Sequence, residues 1–463
     1  MKPAKKIQSP GPKGSVLVLS LLFLAIFSTL AAAMAGMSGA NVQIAQNQRK
    51  LDNTRGCAES GLEVVRYWMG KVEISGTTPP DERFAQLAAS LQNKLTSAGA
   101  TNVVTTYTGS TITISNVALN SSQGQSFSAI LTKIDPNNIR LEVTGHYSSF
   151  DRTIRSAYKF DTRANNVFDF GVATKGPLSL AGNVELEGIN IQVESNAYIE
   201  SENALQALAI IGNSHIAGEV KIVNPLALVY LQGGQAGIGG ETGSAAMEHV
   251  KIGVAPCEFP EMNPDIFIPY ATRVLTSADS TSADATYNNL KIPAGMNPSF
   301  SGQVTLKGVV YIEAPNVVTF NGGVDITGVI VTDGDPTDNS ATNRLVFNGN
   351  VAGHPITQLP QETQFAGLQE KKGTFIMAPG FSLGFGGSFS TLSGAIAANG
   401  IQLWGHAGGT INGSIVNYSD TQMTLQGNTD LYFNRSGLTE VPAGFVPQLV
   451  MYYNPSSYEE VTL

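Results

Sequence analysis

The chain has 463 residues, enough for about two to four domains and a large buried core. Only 14% of the residues are charged, against about 25% in typical soluble domains, and 49 are glycine, which favours a β-rich, turn-rich extracellular protein over a helical cytosolic enzyme. A net charge of −9, without a stripe of Lys and Arg between aromatic residues, argues against nucleic acid as a partner.

A basic leader, residues 1–14, precedes a long apolar segment. The leader carries four Lys and no acidic residue, and Ser15–Ala35 has about the length, roughly 20 residues, that a helix needs to cross a hydrocarbon core. By the positive-inside rule the leader stays in the cytoplasm. The sequence therefore predicts a single-pass inner-membrane protein whose C-terminal part, after Ala35, is extracytoplasmic.

Helical periodicity continues beyond the membrane segment. From Asn41 to Gly70, apolar residues recur at the spacing of an amphipathic helix. We therefore predict one long helix over residues 15–70, apolar all round in its first half and amphipathic in its second. Four glycines weaken it and mark either bends or close packing against a neighbour: Gly36, Gly39, Gly56 and Gly61.

Residues 71–165 are predicted to complete an α+β domain with this helix. A second helix is expected over Asp81–Ser97, because acidic residues begin it and Gly99 follows it. Five runs rich in Val, Ile, Thr and Tyr, separated by short turn signals, then predict an antiparallel sheet. These runs are Asn102–Tyr107, Thr111–Val117, Ser126–Ile134, Ile139–Tyr147 and Thr153–Phe160.

Residues 166–440 are predicted to form an all-β domain built from a repeat. A motif of apolar residue, any residue, Gly, any residue, and Val or Ile recurs, with 20 residues from Gly308 to Gly328 and 19 from Gly394 to Gly413. A fixed period near 20 residues favours a parallel β-helix, or solenoid, with glycine turning the corners through positive φ. Weaker copies lie around Gly188 and Gly218.

Three stretches look like excursions from these coils, and the last residues stand apart. The excursions are Val254–Pro269, Ser277–Asn289 and Gln358–Lys372, and residues 441–463 are assigned to a C-terminal tail. A β-sandwich or barrel with incidental glycines is the alternative architecture.

The N-terminal 70 residues, about 15% of the chain, resemble those of type IV pilin-like proteins, in particular PilX-type minor pilins. Lys13-Gly14 precedes the apolar run, and Ala58-Glu59-Ser60-Gly61-Leu62 is similar to an element of such helices. The resemblance implies that prepilin peptidase cleaves after Gly14 and that Ser15 becomes the N-methylated first residue. It also implies that the helix anchors the subunit and later packs among other pilins in a filament assembled by dedicated machinery.

Two positions depart from the major-pilin pattern. Ser15 and Leu19 stand where major pilins have Phe or Met and Glu, and this Glu is thought to pair with the N-terminal amine of a neighbouring subunit. PilX-type members often lack it. Together with the long β-rich part, this favours a tip or accessory subunit whose incorporation depends on partner minor subunits.

The two cysteines, Cys57 and Cys257, lie 200 positions apart. Outside the cytoplasm they could form a disulfide; two independent thiols are the other interpretation. Without a C-x-x-C or a His/Cys cluster, the sequence gives a zinc site no support.

Several acidic residues invite a comparison with metal and glycosidase sites. Asp333, Asp335 and Asp338 could offer oxygen ligands to Ca²⁺, but their spacing is not that of an EF-hand, so a solvated loop, Val331–Asn339, is favoured. Glu185 and Glu187 would share one strand face, as a carboxylate pair or simply as a polar surface. The five histidines lack ligand spacing, and we assign no catalytic, metal-binding or cofactor-binding residue.

Trp404, in the sequence I-Q-L-W-G-H-A-G-G, is the aromatic residue singled out. If exposed on a solenoid surface, its indole could stack on sugar rings. If buried, it would fill space in the core as an aromatic plug.

The sequence thus predicts a non-enzymatic, pilin-like surface or filament-tip protein that is anchored by its helix. Its β-helix head would contact partners, surface polysaccharide among them. One rival is a secreted, carbohydrate-active β-helix enzyme, because Val16–Leu30 and Ala33-Met34-Ala35 also parse as a signal peptide and its cleavage site. A static, permanently anchored envelope protein is the other.

Overall fold

Helix α1, Ser15–Met69, is one uninterrupted helix of 55 residues, as its periodicity predicts. The structure is a computed structural model that describes residues 15–72, 74–97, 103–338, 341–436 and 440–461. The basic leader and the predicted cleavage residue Gly14 lie outside these described residues. Only the C-terminal third of α1 has buried side chains, which begin at Thr54.

The chain divides into two compact units. The first comprises Met1–Ile74, Thr78–Asp161 and Val450–Leu463, and the second comprises Ser75–Thr77 and Thr162–Leu449.

The first unit contains α1, helix α2 (Arg83–Ser97) and most of an antiparallel sheet, sheet A. The spatial order of its seven strands is β1-β33-β6-β5-β4-β3-β2. Their bounds are β1 Ile74–Ser75, β2 Thr105–Tyr107, β3 Thr111–Asn120, β4 Gln125–Lys133, β5 Asn138–Tyr147, β6 Phe150–Arg163 and β33 Gln448–Val461. No feature of the sequence anticipated that the assigned C-terminal tail would supply a strand of this sheet.

Glycine lets α1 lie close to sheet A. A Cβ at Gly61 would lie 2.5 Å from Cγ of Phe127 on β4, and one at Gly145 on β5 would lie 2.3 Å from the carbonyl oxygen of Thr54. Of the four glycines noted in the sequence, Gly61 therefore marks close packing. A Cβ at Gly36, Gly39 or Gly56 would meet nothing within 4 Å.

The second unit is mostly β and contains two open sheets of parallel strands. Among the described residues, sheet B has 12 strands and sheet C has 14; β15 of sheet C runs antiparallel to its neighbour, β14. The strands of sheet B are β7 Val172–Thr174, β9 Ala197–Ile199, β12 Val220–Ile222, β16 Val250–Ile252, β17 Arg273–Val274, β18 Ala285–Ile292, β20 Val304–Ile312, β22 Val324–Thr332, β24 Val351–His354, β25 Thr374–Ala378, β28 Ala395–Ala398 and β31 Ile415–Asn417. Those of sheet C are β8 Leu178–Gly188, β10 Gln206–Gly212, β11 His215–Ile216, β13 Leu228–Gln232, β14 Gly237–Ile238, β15 Glu241–Thr242, β19 Ser299–Phe300, β21 Val317–Phe320, β23 Arg344–Phe347, β26 Ser382–Phe385, β27 Thr391–Ser393, β29 Ile401–Leu403, β30 Gly409–Asn412 and β32 Met423–Phe433.

The order of the strands in space differs from their order in the chain. In sheet B the chain starts at β7, inside the sheet, and steps outward through β9 and β12 to the edge strand β16. It then resumes at the opposite edge, β17, and returns strand by strand to β31, which pairs with β7. In sheet C the returning strand β32 pairs in parallel with β8 over 11 residue pairs.

The motif repeats predicted from the sequence lie side by side on neighbouring strands. Gly308 on β20 pairs in register with Gly328 on β22. Gly308, Gly328 and Gly394 have positive φ, of 88°, 141° and 136°, as expected for the motif. Gly413 is required for another reason, since its Cβ would lie 2.3 Å from the carbonyl oxygen of Gly394.

Inward-facing side chains of sheets B and C form one apolar core. Four phenylalanines from successive strands of sheet C stack in it: Phe300, Phe320, Phe347 and Phe385. Their ring centroids are 5.0, 5.1 and 5.1 Å apart, and neighbouring rings are within 12° of parallel. This spacing matches the strand separation, so each strand contributes one ring to the column.

Two of the predicted excursions cover the outer face of sheet B. A 3₁₀ segment, Pro264–Tyr270, brings Phe267 against Val309 and Val329, and residues 356–368 add Phe365 to the same cluster. Buried and half-buried residues alternate in the first halves of β20 and β22, whereas every residue in the second halves is buried. The covering segments explain this change, because they bury the outward-facing side chains as well.

Candidate functional site

The apolar part of α1 is the first candidate for function. The large apolar side chains of Ser15–Ala35 are exposed, and α1 is the one described helix that is long and apolar enough to cross a membrane. Ser15, the predicted first mature residue, lies in this helix.

The two cysteines are thiols in this structure. Cys57 is buried in α1, and burial raises the pKa of its thiol. Cys257 is half-buried, and its backbone N–H donates a hydrogen bond to the hydroxyl of Tyr198 at 2.7 Å. Their pairing in an oxidising compartment stays a prediction.

Glu185 and Glu187 lie on one face of β8, as their alternate spacing predicts. Leu186 between them is buried, and His215 on the neighbouring strand pairs in register with Glu185. One ligand atom from each of Glu185, Glu187 and His215 lies within 4.8 Å of the others, and all three residues are half-buried. The sequence missed the histidine, because only strand pairing brings residue 215 to residue 185.

The acidic loop after β22 uses its carboxylates within the fold. Asp333 Oδ1 accepts a hydrogen bond from the backbone of Ala314 at 2.7 Å, and Asp335 Oδ1 accepts one from the backbone of Thr337 at 2.8 Å. Burial raises the pKa of Asp333, whereas the hydrogen bonds from Thr337 lower that of Asp335. Asp335 thus stabilises a local turn, whereas Asp333 binds the backbone of a residue 19 positions earlier; Asn339 of this loop lies outside the described residues.

A further polar cavity of about 190 Å³ contains the half-buried carboxylate of Glu200. Lys175 and Asp420 also line it. Burial raises the pKa of Glu200 to about 7, Lys175 opposes this rise, and Glu202 and Asp420 add to it.

A larger concavity on the outer face of sheet C contains Trp404. Its volume is about 260 Å³, slightly below the roughly 300 Å³ at which small-molecule pockets usually begin. Polar lining residues come from several successive strands and loops; they include Arg344, Ser382, Asn399, Gln402 and Gln422.

Two glycines at the end of β26 and just after it, Gly384 and Gly386, leave room for the indole of Trp404. Gly384 pairs in register with Gln402, so Gly384 and Gly386 lie beside residues 402 and 404 on the outer face. A Cβ at Gly384 would lie 2.7 Å from Cη2 of the indole, and one at Gly386 would lie 2.6 Å from Nε1. The ring thus packs on glycine backbone and is half-buried, neither a core plug nor a free surface side chain.

Asn399 also lines this concavity and has a buried acceptor atom. The residue is 6% exposed, and its Nδ2 donates a hydrogen bond to the carbonyl oxygen of Pro336. This bond orients the amide, and Oδ1 is buried without a hydrogen-bond partner among the described residues. The sequence did not single out Asn399, because an Asn-Gly pair before a strand is also an ordinary turn signal.

No protein-family model and no curated protein sequence matches the chain. Solved structures with distant similarity include the following two. The competence-associated pilin ComZ from Thermus thermophilus is 12% identical with a TM-score of 0.25, over 89% of this chain and 97% of that one. A glycosylated ice-binding protein, LeIBP, from an Arctic yeast is 12% identical with a TM-score of 0.21, over 60% and 97% respectively. At these scores neither similarity carries a conclusion about function.

Proposed function

We propose that the chain is a pilin-like accessory or tip subunit of a type IV pilus or a related secretion filament, with a β-solenoid head that contacts partners. The observation that supports this most directly is α1. This continuous helix carries an exposed apolar segment, followed by side chains packed in a folded unit. Such a helix can cross a membrane with its apolar part while the rest of the chain folds outside.

The same helix is suited to assembly. Its apolar segment carries no charge and can lie in a bilayer before assembly. On assembly it can exchange contacts with lipid for contacts with the helices of other subunits. The partners are therefore the inner membrane, other pilins and the assembly machinery, and the role is non-enzymatic.

The solenoid assignment for the head is supported by strand pairing. Motif copies about 20 residues apart occupy neighbouring parallel strands, and four phenylalanines stack with the strand period. A solenoid presents long rows of outward residues, which suits contact with an extended partner.

The deciding experiment is mass spectrometry of the mature N-terminus, on protein taken from the native envelope. A methylated Ser15 is the expected result. A start at Gly36 would instead identify a conventional secreted protein and direct attention to carbohydrate assays, and an intact Met1 or Lys2 would leave a static anchor.

Matched leader variants sharpen this experiment. Gly14→Val should block cleavage and keep the protein in the membrane fraction, because the bond to be cut follows Gly14. Gly11→Val, three residues upstream, should be processed normally. Equal processing of both variants would contradict cleavage after Gly14.

A further inference from the structure

We propose that the concavity around Trp404 binds a pyranose ring of a glycan. This inference rests on the proposed function, since it names the ligand class of the head. It combines three observations: the indole of Trp404 forms one wall, Asn399 Oδ1 is a buried acceptor without a partner among the described residues, and the charges of the lining side chains cancel.

The aromatic wall is held in place before any ligand arrives. Packing of the Trp404 indole on Gly384 and Gly386 restricts the ring, so little side-chain freedom is lost on binding. A pyranose has an apolar C–H face of similar size to an indole, and burial of these two surfaces against each other removes apolar area from water.

The buried acceptor supplies a reason for a hydroxyl-bearing ligand. An unpartnered polar atom inside a protein is unfavourable, so Asn399 Oδ1 would gain from a donor that reaches it from the concavity. Donation from Asn399 Nδ2 to Pro336 holds Oδ1 in the acceptor role. A sugar hydroxyl is such a donor.

The remaining polar side chains fit a neutral ligand. Arg344 and Asp338 are the charged residues among those that line the concavity, and their charges are opposite. Arg344, Gln402 and Gln422 are exposed and can donate to hydroxyl and ring oxygens. A phosphate-rich ligand would need an excess of positive charge, which this set does not supply.

The composition of the chain offers a direct reporter. Trp68 and Trp404 are its two tryptophans. In Trp68→Phe full-length protein, held in a detergent without a sugar headgroup, all tryptophan emission therefore comes from the concavity. Maltohexaose, cellohexaose and chitohexaose are the probes, and sorbitol is the control with hydroxyls but no ring.

We expect at least one hexaose to shift the emission of Trp404 in a saturable manner, while sorbitol has no effect. If none of the three hexaoses changes the emission, or if sorbitol acts equally, the pyranose site is wrong.

Side-chain variants locate the binding. Asn399→Ala and Gln402→Ala should each weaken the hexaose by about tenfold, the loss expected for one hydrogen bond to a buried or partly buried group. Gln426→Ala is the matched control, because Gln426 is also an exposed glutamine of sheet C but does not line the concavity. Equal effects of Gln402→Ala and Gln426→Ala on hexaose affinity would overturn the assignment. Because Gln402 is exposed, its variant should fold, and the test stays valid even if Asn399→Ala misfolds.

The binding result is independent of N-terminal processing. Hexaose binding by a protein whose mature end is not Ser15 would retain the site and remove the filament role. A methylated Ser15 without binding would retain the filament role and remove the site.

Discussion

The backbone at Gly328 leaves no room for a side chain. Its φ of 141° lies in a region that favours glycine, and a Cβ there would lie 2.0 Å from the carbonyl oxygen of Gly308. We expect Gly328→Ala to lower the free energy of unfolding by about 1–3 kcal/mol or more, from backbone strain and displacement of β20. Urea denaturation of the full chain measures this. Gly234→Ala, where a Cβ meets nothing within 4 Å, is the control, and equal midpoints would contradict the explanation.

Glu200 should make stability depend on pH in the acid range. Burial raises the pKa of its carboxyl to about 7 in the folded chain, whereas the ordinary value, 4.5, applies after unfolding. Between these values the folded state binds more protons than the unfolded state, so stability falls as pH rises through this window. Glu200→Gln should flatten this part of the urea-midpoint profile and raise stability above it. Glu248→Gln, at an exposed position that does not line this cavity, should leave the profile unchanged; a flattened profile in that variant would assign the effect elsewhere.

The sequence could identify Trp404 but not its setting. An aromatic residue in a Gly-rich strand region is visible in the sequence, whereas several of the neighbours that create the concavity lie on other strands. Gly384 reaches Trp404 only through parallel pairing, and such registers follow from packing across the whole unit. Asn399 is near Trp404 in the chain, but the hydrogen bond that orients its amide goes to Pro336, 63 residues earlier. His215 beside Glu185 was missed for the same reason.

At the scale of elements, the phenylalanine column ties successive strands of sheet C together. Phe347 lies between Phe320 and Phe385 and is fully buried. We expect Phe347→Ala to destabilise the chain by about 3–5 kcal/mol, because it leaves a cavity and interrupts two ring contacts. Phe347→Leu should cost less, since it retains most of the volume.

Chemical denaturation of both Phe347 variants checks this expectation. Tyr230→Ala, on the exposed edge strand β13, should change stability by no more than about 0.5 kcal/mol. If Phe347→Ala and Phe347→Leu were equally mild, the column would not be a source of stability.

Local signals predicted the elements well where one helix or one hairpin decides them. The approximate bounds of α1, α2 and the strands β2 to β6 follow from periodicity, caps and turn residues, which act within a few positions. The order of strands in sheets B and C could not be predicted in this way. A motif repeat predicts that copies pair side by side, but it does not predict that β7 and β8 lie inside the sheets and that β32 returns to β8.

At the scale of the whole molecule, the return of β33 to sheet A joins the C-terminal residues to the first unit. Arg155 on β6 forms an ion pair with Glu459 on β33 at 2.7 Å, and the backbone N–H of Ala157 donates to the Ser457 hydroxyl at the same distance. Local sequence patterns could not predict these two contacts, because some 300 residues separate the partners in the chain.

The absence of an acidic residue near the mature N-terminus predicts how the molecule assembles. If Ser15 becomes the first residue, its methylated amine keeps a positive charge, and burial of that charge among apolar helices is costly without a carboxylate partner. Leu19 occupies the position from which a major pilin supplies this carboxylate. We therefore expect the purified mature protein to form no regular filaments by itself and to join filaments only with subunits that carry the acid. Negative-stain electron microscopy, with and without such subunits, makes the measurement. Leu19→Glu should increase self-association whereas Leu22→Glu should not, and regular filaments of the unmodified protein alone would refute this account of assembly.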